Sequence, residues 1–171
     1  MTRELLLLRH GKSDWDQDCD DFDRPLNARG QRDAARIGCW MQAHHLLPDG
    51  IFSSPARRAA QTAQAICTNA GTAPDRVLWI GRLYLASLET LLEFIGSIST
   101  NRRRVMLIGH NPGLEDLLEY LSLAAGRYRQ QGKLLTTATL ACLSLDGDWS
   151  HLDRGSCELE RFIRPRGLPQ A

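Results

Sequence analysis

Short apolar runs alternate along the chain with longer stretches of mixed character. Leu5-Leu6-Leu7-Leu8 and Val105-Met106-Leu107-Ile108 are continuous runs of strand length. Such runs, bounded by turn signals, fit strands buried on both faces of a parallel sheet. Each stops at a polar cluster with glycine, Arg9-His10-Gly11 in one case and Gly109-His110-Asn111-Pro112-Gly113 in the other. After the turn Pro48-Asp49-Gly50, Ile51-Phe52 predicts a shorter strand, and Val77-Leu78-Trp79-Ile80 predicts a third buried one. Asn27 is an N-cap for a helix running to about Leu46, with Ala35, Ile37, Cys39, Trp40, Met41 and Leu46 inward and Arg29, Arg32, Asp33 and Arg36 in water. Ser54 as cap, with Pro55 at the first helical position, opens a second helix. Leu88, Leu91, Leu92 and Ile95 stripe a third, from about Ser87 to Ile98. Asn111 as N-cap, Pro112 at the first helical position, and Glu115 and Asp116 in the first turn mark a fourth, Leu114 to Leu123. Leu135 to Leu145 predicts a late strand, Asp146-Gly147-Asp148 a hairpin-type turn, and Trp149–Leu152 and Leu159–Ile163 edge strands. This alternation is that of an α/β protein, a three-layer α/β/α sandwich with a mostly parallel central sheet.

The bulk numbers narrow the class. A chain of 171 residues with 43% hydrophobic positions supports one cored domain spanning 1–171. A formal net charge of +1 argues against a general nucleic-acid binder, which carries a strongly basic face. No apolar stretch approaches the roughly 20 residues of a membrane span. Met1 to Arg9 lacks the features of a signal peptide. The five cysteines are scattered, odd in number and without a C-x-x-C pair. They read as reduced thiols rather than a disulfide framework or zinc site, so a cytoplasmic protein is expected; a monomer is expected as well.

Candidate chemistry gathers at the strand ends. In open α/β sheets the crevice beyond the strands' carboxyl ends is where sites are built. Arg9 suits a pair of anionic oxygens, His10 can act as nucleophile, acid or base, and Gly11 allows a sharp turn. The helix opening near Ser54 offers free N–H groups to an anion. A cation in that first turn opposes the helix dipole, so Arg58 calls for an anionic partner such as phosphate. Arg58, Gln61 and Thr62 share a helical face, whereas Arg57 points elsewhere into solvent. His110 follows the other strong strand as His10 follows the first. Two arginines and two histidines around one point can bind a doubly charged tetrahedral anion without a metal, and a neutral imidazole can attack phosphorus. The acidic loop Asp14 to Asp23 imitates a calcium loop, but Cys19 stands where the turn glycine belongs and Pro25 where the bidentate glutamate belongs. It is read as a solvated lid with one or two functional carboxylates. His44-His45 suits the negative end of a helix dipole rather than a metal.

Five segments, in order, carry a family resemblance: Leu-Leu-Arg-His-Gly-Lys-Ser, Asp-Phe-Asp-Arg-Pro-Leu-Asn-x-Arg-Gly, Ser-Ser-Pro-x-x-Arg-Ala-x-Gln-Thr-Ala, Leu-Tyr-x-Ala and Ile-Gly-His-Asn-Pro-Gly. Spread over most of residues 5–145, they resemble the histidine phosphatase superfamily with its phosphoglycerate mutase-like fold, and within it the small phosphohistidine phosphatase (SixA-type) branch. The resemblance implies that His10 is the phosphorylated nucleophile, that Arg9, Arg58 and His110 form the phosphate pocket, and that no metal or organic cofactor is needed. Larger members are expected to carry a glutamate proton donor in the region of Leu83-Tyr84-Leu85-Ala86, and this chain has none there. Glu89 is the nearest carboxylate. Asp21 is the preferred donor, Asp23 is read as orienting the loop, and His110 is a further donor candidate. A missing strong acid fits a labile P–N bond, so the expected substrate is phosphohistidine on a protein, such as a histidine-containing phosphotransfer domain, with inorganic phosphate as product. The alternatives are a small-molecule phosphomonoesterase and a non-catalytic phosphate-binding regulatory module. A mutase is disfavoured, with little chain left for a lid.

Overall fold

A computed structural model describes residues 2–169. The apolar run at the start becomes β1 (Thr2–Arg9), whose alternate side chains feed two separate cores. Leu5 and Leu7 face one side of the sheet, and Leu6 and Leu8 the other, all four fully buried. α1 (Ala28–Ala43), β2 (Gly50–Ser53), α2 (Arg57–Ala70), β3 (Val77–Trp79), α3 (Leu88–Gly96), β4 (Arg104–Gly109), α4 (Gly113–Leu121), β5 (Leu140–Asp146) and β6 (Cys157–Ile163) follow. The sheet order is β3-β2-β4-β1-β5-β6. Parallel pairing joins β3, β2, β4 and β1, and β5 runs antiparallel to both β1 and β6. Helices α1 and α2 cover the Leu6/Leu8 face through Ile37, Met41, Ala63 and Ile66, and α3 and α4 cover the other through Leu91, Ile95, Leu117 and Leu121. The expected three-layer α/β/α sandwich with a mostly parallel sheet is therefore present.

Register places the site. Arg9 lies opposite Gly109 and Ser53 opposite Ile108, so β1, β4 and β2 end side by side at one rim. Because β5 runs the other way, its first residue, Leu140, pairs with Leu8 at that same rim. The segment leading into β5 thus joins the loops after β1, β2 and β4.

Several expected details differ. The predicted strand forms as β3 (Val77–Trp79), an edge strand rather than a buried one, because it pairs only with β2, and Leu78 and Trp79 are each 45% exposed. The late strand begins at Leu140 rather than Leu135, since residues 134–139 turn through the site instead. No strand forms at Trp149–Leu152; Trp149 is fully buried in the α3/α4 core and its indole N–H donates to the Arg102 carbonyl at 2.9 Å. The connection from β5 to β6 spans residues 147–156, too long for the expected tight hairpin. Asp33 is buried, not solvated, because Arg29 (3.3 Å) and Arg36 (3.7 Å) on its own helix pair with it. Trp40 is half-buried, stacked on His44 at 4.2 Å.

Asn27 caps α1 as expected, its side chain accepting from the Gly30 N–H at 2.9 Å. This brings the first turn of α1 against the loop after β1. A Cβ on Gly30 would lie 2.2 Å from the Lys12 carbonyl oxygen, and one on Gly11 would lie 2.8 Å from the Gly30 carbonyl oxygen. Both clashes are with backbone, so neither is relieved by a rotamer change. Gly30→Ala is expected to destabilise the protein by about 1–3 kcal/mol, as overpacking does, despite alanine's better helix propensity. Gly126→Ala, whose Cβ meets nothing within 4 Å, is expected to stay within about 0.5 kcal/mol of the parent. Urea denaturation of the two variants checks the contrast.

Candidate active site

Each of the expected strand-end residues reaches one cavity of about 330 Å³, lined by Arg9, His10, Arg58 and His110 with Asp21 and Arg24 beside them. A larger hollow of about 780 Å³ lies where Thr2 begins β1, at the opposite end of the sheet. Among the described residues its cation is Arg127, which stands among Asp146, Glu158 and Glu160, so the lining does not suit an anion.

The centre is the guanidinium of Arg58, on the second residue of α2 and only 2% exposed. Its Nε–H donates to His10 Nε2 at 3.3 Å, and one Nη donates to His110 Nδ1 at 3.3 Å. That same Nη donates to Asp21 Oδ2 at 2.9 Å, and the other bonds the Asp21 carbonyl oxygen. Arginine only donates, so both histidine nitrogens facing it are lone-pair acceptors. This fixes two tautomers. His10 carries its hydrogen on Nδ1, which donates to the Gly11 carbonyl at 2.7 Å. His110 carries its hydrogen on Nε2, which donates to Ser54 Oγ at 2.8 Å. The two rings stand 5.0 Å apart, tilted by 54°.

Burial and nearby positive charge act together on these imidazoles. Desolvation, reinforced by His110, Arg58 and Arg9, pushes His10 down to about 3. Desolvation and Arg58 push His110 down to about 4. Both rings are neutral near pH 7, and His10 Nε2 is unprotonated, its lone pair accepting from Arg58. Asp21 moves within the ionised range for a different reason. The Tyr84 hydroxyl donates to its Oδ2 at 2.6 Å and, with Arg58, holds the carboxyl below its ordinary value.

Arg9 is anchored from the far side. One Nη donates to the Leu135 carbonyl at 2.8 Å, and Asn111 Nδ2 reaches the same oxygen at 3.0 Å. Glu115 builds this support by accepting from Asn111, from the Leu134 and Leu135 N–H groups, and from Arg129. The helix-start reading of Glu115 therefore understated it. α2 pins the remaining loops from one face, as its spacing implied. Thr62 Oγ1 accepts from the Gly11 N–H at 2.9 Å, and Gln61 accepts from the Leu26 N–H at 2.7 Å. Arg57 is exposed.

Two cap assignments fail for a common reason. α2 begins at Arg57 with Ala56 as its cap residue, because the Ser54 hydroxyl serves His110; Pro55 therefore precedes the helix. α4 begins at Gly113 with Pro112 as its cap residue, because the Asn111 side chain is spent on Glu115 and Leu135. Glu89 is exposed on α3 and takes no part in lining the cavity. Asp23 is exposed, and its backbone N–H donates to the Asp20 carbonyl. Tyr84, which bonds Asp21, stood in the sequence within the Leu-Tyr-x-Ala segment but was given no role there. Its hydroxyl meets a carboxylate 63 residues away, and no local spacing signals that. Among the described residues, no group of three or more His, Cys, Asp or Glu side chains is placed to hold a metal.

This arrangement has relatives. A model of the histidine phosphatase superfamily (branch 1) matches residues 5–77. An uncharacterized protein of Mycobacterium tuberculosis (strain ATCC 25618 / H37Rv) is 31% identical over 163 residues, covering 93% of this chain and all of the relative. The SixA-type structure from Agrobacterium tumefaciens superposes with a TM-score of 0.80 at 32% identity, covering 95% of this chain and 98% of that one. The Nakamurella counterpart gives a TM-score of 0.78 at 27% identity, covering 96% and 97%. The chain belongs to the histidine phosphatase superfamily, in its SixA-type branch.

The buried neutral histidines carry a stability signature. Unfolding returns each to its ordinary value near 6.5, so the unfolded chain binds more protons below that pH. Their contribution is complete above about pH 6.5 and falls as pH drops toward about 4 for His110 and about 3 for His10. The urea midpoint is therefore expected to decline between about pH 6.5 and 4.5, and the decline to be shallower in His110→Asn. Parallel slopes for the two proteins would contradict the assignment.

Proposed function

We propose that this protein is a phosphatase that forms a covalent intermediate on His10 and acts on phosphohistidine carried by a protein. The observation that carries the reading is the His10 Nε2 lone pair, held neutral and directed at the Arg58 guanidinium inside an arginine-lined cavity. A phosphoryl group entering that cavity exchanges the Arg58 hydrogen bonds for its own oxygens. Arg9 and Arg58 then spread over the equatorial oxygens the charge relief that phosphoryl transfer requires. His10 Nε2 attacks phosphorus, the N–P bond forms, and the bond to the leaving group breaks with its electron pair remaining on that group. The Gly11 carbonyl, accepting from Nδ1–H, stabilises the positive charge that develops on the ring. Water then attacks the phosphoryl-His10 intermediate and releases inorganic phosphate.

Asp21 is the proton donor in this scheme, and its partners explain the choice of leaving group. It is an ionised carboxylate tied to Arg58, Arg24 and Tyr84. No strong acid stands ready beside the cavity. An alkoxide leaving group needs such an acid, whereas the imidazole of phosphohistidine leaves with much less help. The relatives are consistent with this substrate, since the Agrobacterium tumefaciens structure is described as a candidate phosphohistidine phosphatase. The protein-borne phosphohistidine is the physiological partner in this reading, and small phosphate esters are secondary substrates.

Substrate profiling of Asp21→Asn tests the reading. Loss of a positioned general acid is expected to slow hydrolysis of an alkyl phosphate by about 10²–10⁴-fold. Hydrolysis of a phosphohistidine peptide is expected to fall by less than about tenfold. Equal losses on both would assign Asp21 to loop positioning, and a parent enzyme that prefers the alkyl ester would overturn the substrate assignment.

A further inference from the structure

Asp21 is carried by a weakly anchored segment. It opens a three-residue turn, Asp21–Asp23, with no buried residue, and its own side chain is 45% exposed. Three groups hold its carboxylate. Arg24 bonds Oδ1 at 2.6 Å, but Arg24 belongs to the same loop and moves with it. Arg58 bonds Oδ2 at 2.9 Å from α2, yet a phosphoryl group in the cavity needs that same guanidinium. The remaining tie is Tyr84, whose hydroxyl donates to Oδ2 at 2.6 Å. Tyr84 follows the turn Gly81–Leu83, and its ring stands edge-on to His110 at 5.4 Å and to Phe22, beside Asp21, at 5.1 Å. It also lies beneath the Arg58 guanidinium at 6.0 Å, but its bond to Asp21 is its own and does not use the Arg58 donors that a phosphoryl group takes.

We propose that Tyr84 is the positioning residue for the proton donor: it keeps Asp21 beside the leaving group once the substrate's phosphoryl group has taken Arg58. The proposal rests on the reading of Asp21 as donor. In the substrate complex Asp21 exchanges its bond from Arg58 for the neighbourhood of a phosphate dianion, and takes up a proton from the buffered solvent. It hands that proton to the leaving oxygen as the P–O bond breaks, and returns to Arg58 as a carboxylate when phosphate departs. Tyr84 donates its hydrogen bond throughout and transfers no proton.

The charged and titratable groups around Asp21 are Arg58 from α2, Arg24 from its own loop, Tyr84, and, lining the same cavity, Arg9, His10 and Lys12 at the end of β1 and His110 after β4. Tyr84 favours the ionised carboxylate, as the two arginines do, while the incoming dianion opposes them. Tyr84→Phe keeps the ring contacts and removes only the hydroxyl. Two effects of opposite appearance follow. Positioning is lost, so kcat falls; and the carboxyl loses a donor, so it stays protonated to higher pH.

The test is the pH profile of kcat and KM for an alkyl phosphate between about pH 4.5 and 8.5, in the parent, Tyr84→Phe, Asp21→Asn and the double variant. Urea denaturation shows that each is folded. For Tyr84→Phe the expected results are a roughly tenfold lower kcat with KM nearly unchanged, and an alkaline limb displaced upward by about 0.5–1 pH unit. The double variant should match Asp21→Asn. An unchanged kcat, or a lower kcat with the limb in place, would overturn the role of Tyr84 while leaving Asp21 as donor. Full alkyl phosphatase activity in Asp21→Asn would instead overturn the donor assignment, and the role of Tyr84 with it.

Discussion

The arrangement of the site depends on one buried guanidinium. Arg58 is almost wholly removed from water and yet touches two neutral imidazoles and a carboxylate at the surface. Burying a charge costs several kcal/mol unless its donors are satisfied. Those donors are satisfied by groups from three places: His10 after β1, His110 after β4 and Asp21 in the acidic loop. The Arg58–Asp21 pair is open to solvent on the Asp21 side, and exposed pairs contribute about 1 kcal/mol or less. Fold stability is thus a weak reason for it. An arginine buried among lone pairs, with a displaceable carboxylate as its one anionic partner, is a site waiting for a stronger anion.

The sheet makes that cluster possible. Parallel register brings the ends of β1, β4 and β2 level, and the reversed β5 delivers the Leu135 carbonyl to the same rim to steady Arg9. Close backbone packing between Gly11, Lys12 and Gly30 lets the loop after β1 turn tightly beneath α1. Thr62 and Gln61, one turn beyond Arg58, tie that loop and the acidic one to the same helix. Position and tautomer of His10 follow from these contacts, while burial and the surrounding positive charge keep it neutral.

Much of this was legible in the sequence because it rests on local signals. Four leucines ending at Arg9-His10-Gly11 announce a buried strand and what it delivers, and a second strand ending in His110 announces the partner. The 3.6-residue period put Arg58, Gln61 and Thr62 on one face. What stayed hidden depends on distant partners. Ser54 and Asn111 look like helix caps because capping is what such residues do locally, but here their side chains serve His110 and Glu115. Leu78 and Trp79 look buried because an apolar run does not show whether another strand lies beyond it. Tyr84 stood in the Leu-Tyr-x-Ala segment without an assigned role, since its meaning lies in a carboxylate delivered by another loop.

His10 Nε2 as the atom that receives the phosphoryl group is the claim on which the functional account stands. Rapid alkaline quenching of the enzyme during turnover of a labelled phosphoryl donor, followed by peptide mapping, tests it most directly. The account predicts an acid-labile, base-stable label on the peptide containing His10, attached to Nε2, and absent from His10→Ala. A label on another residue, or turnover by a folded His10→Ala at the parent rate, would contradict it.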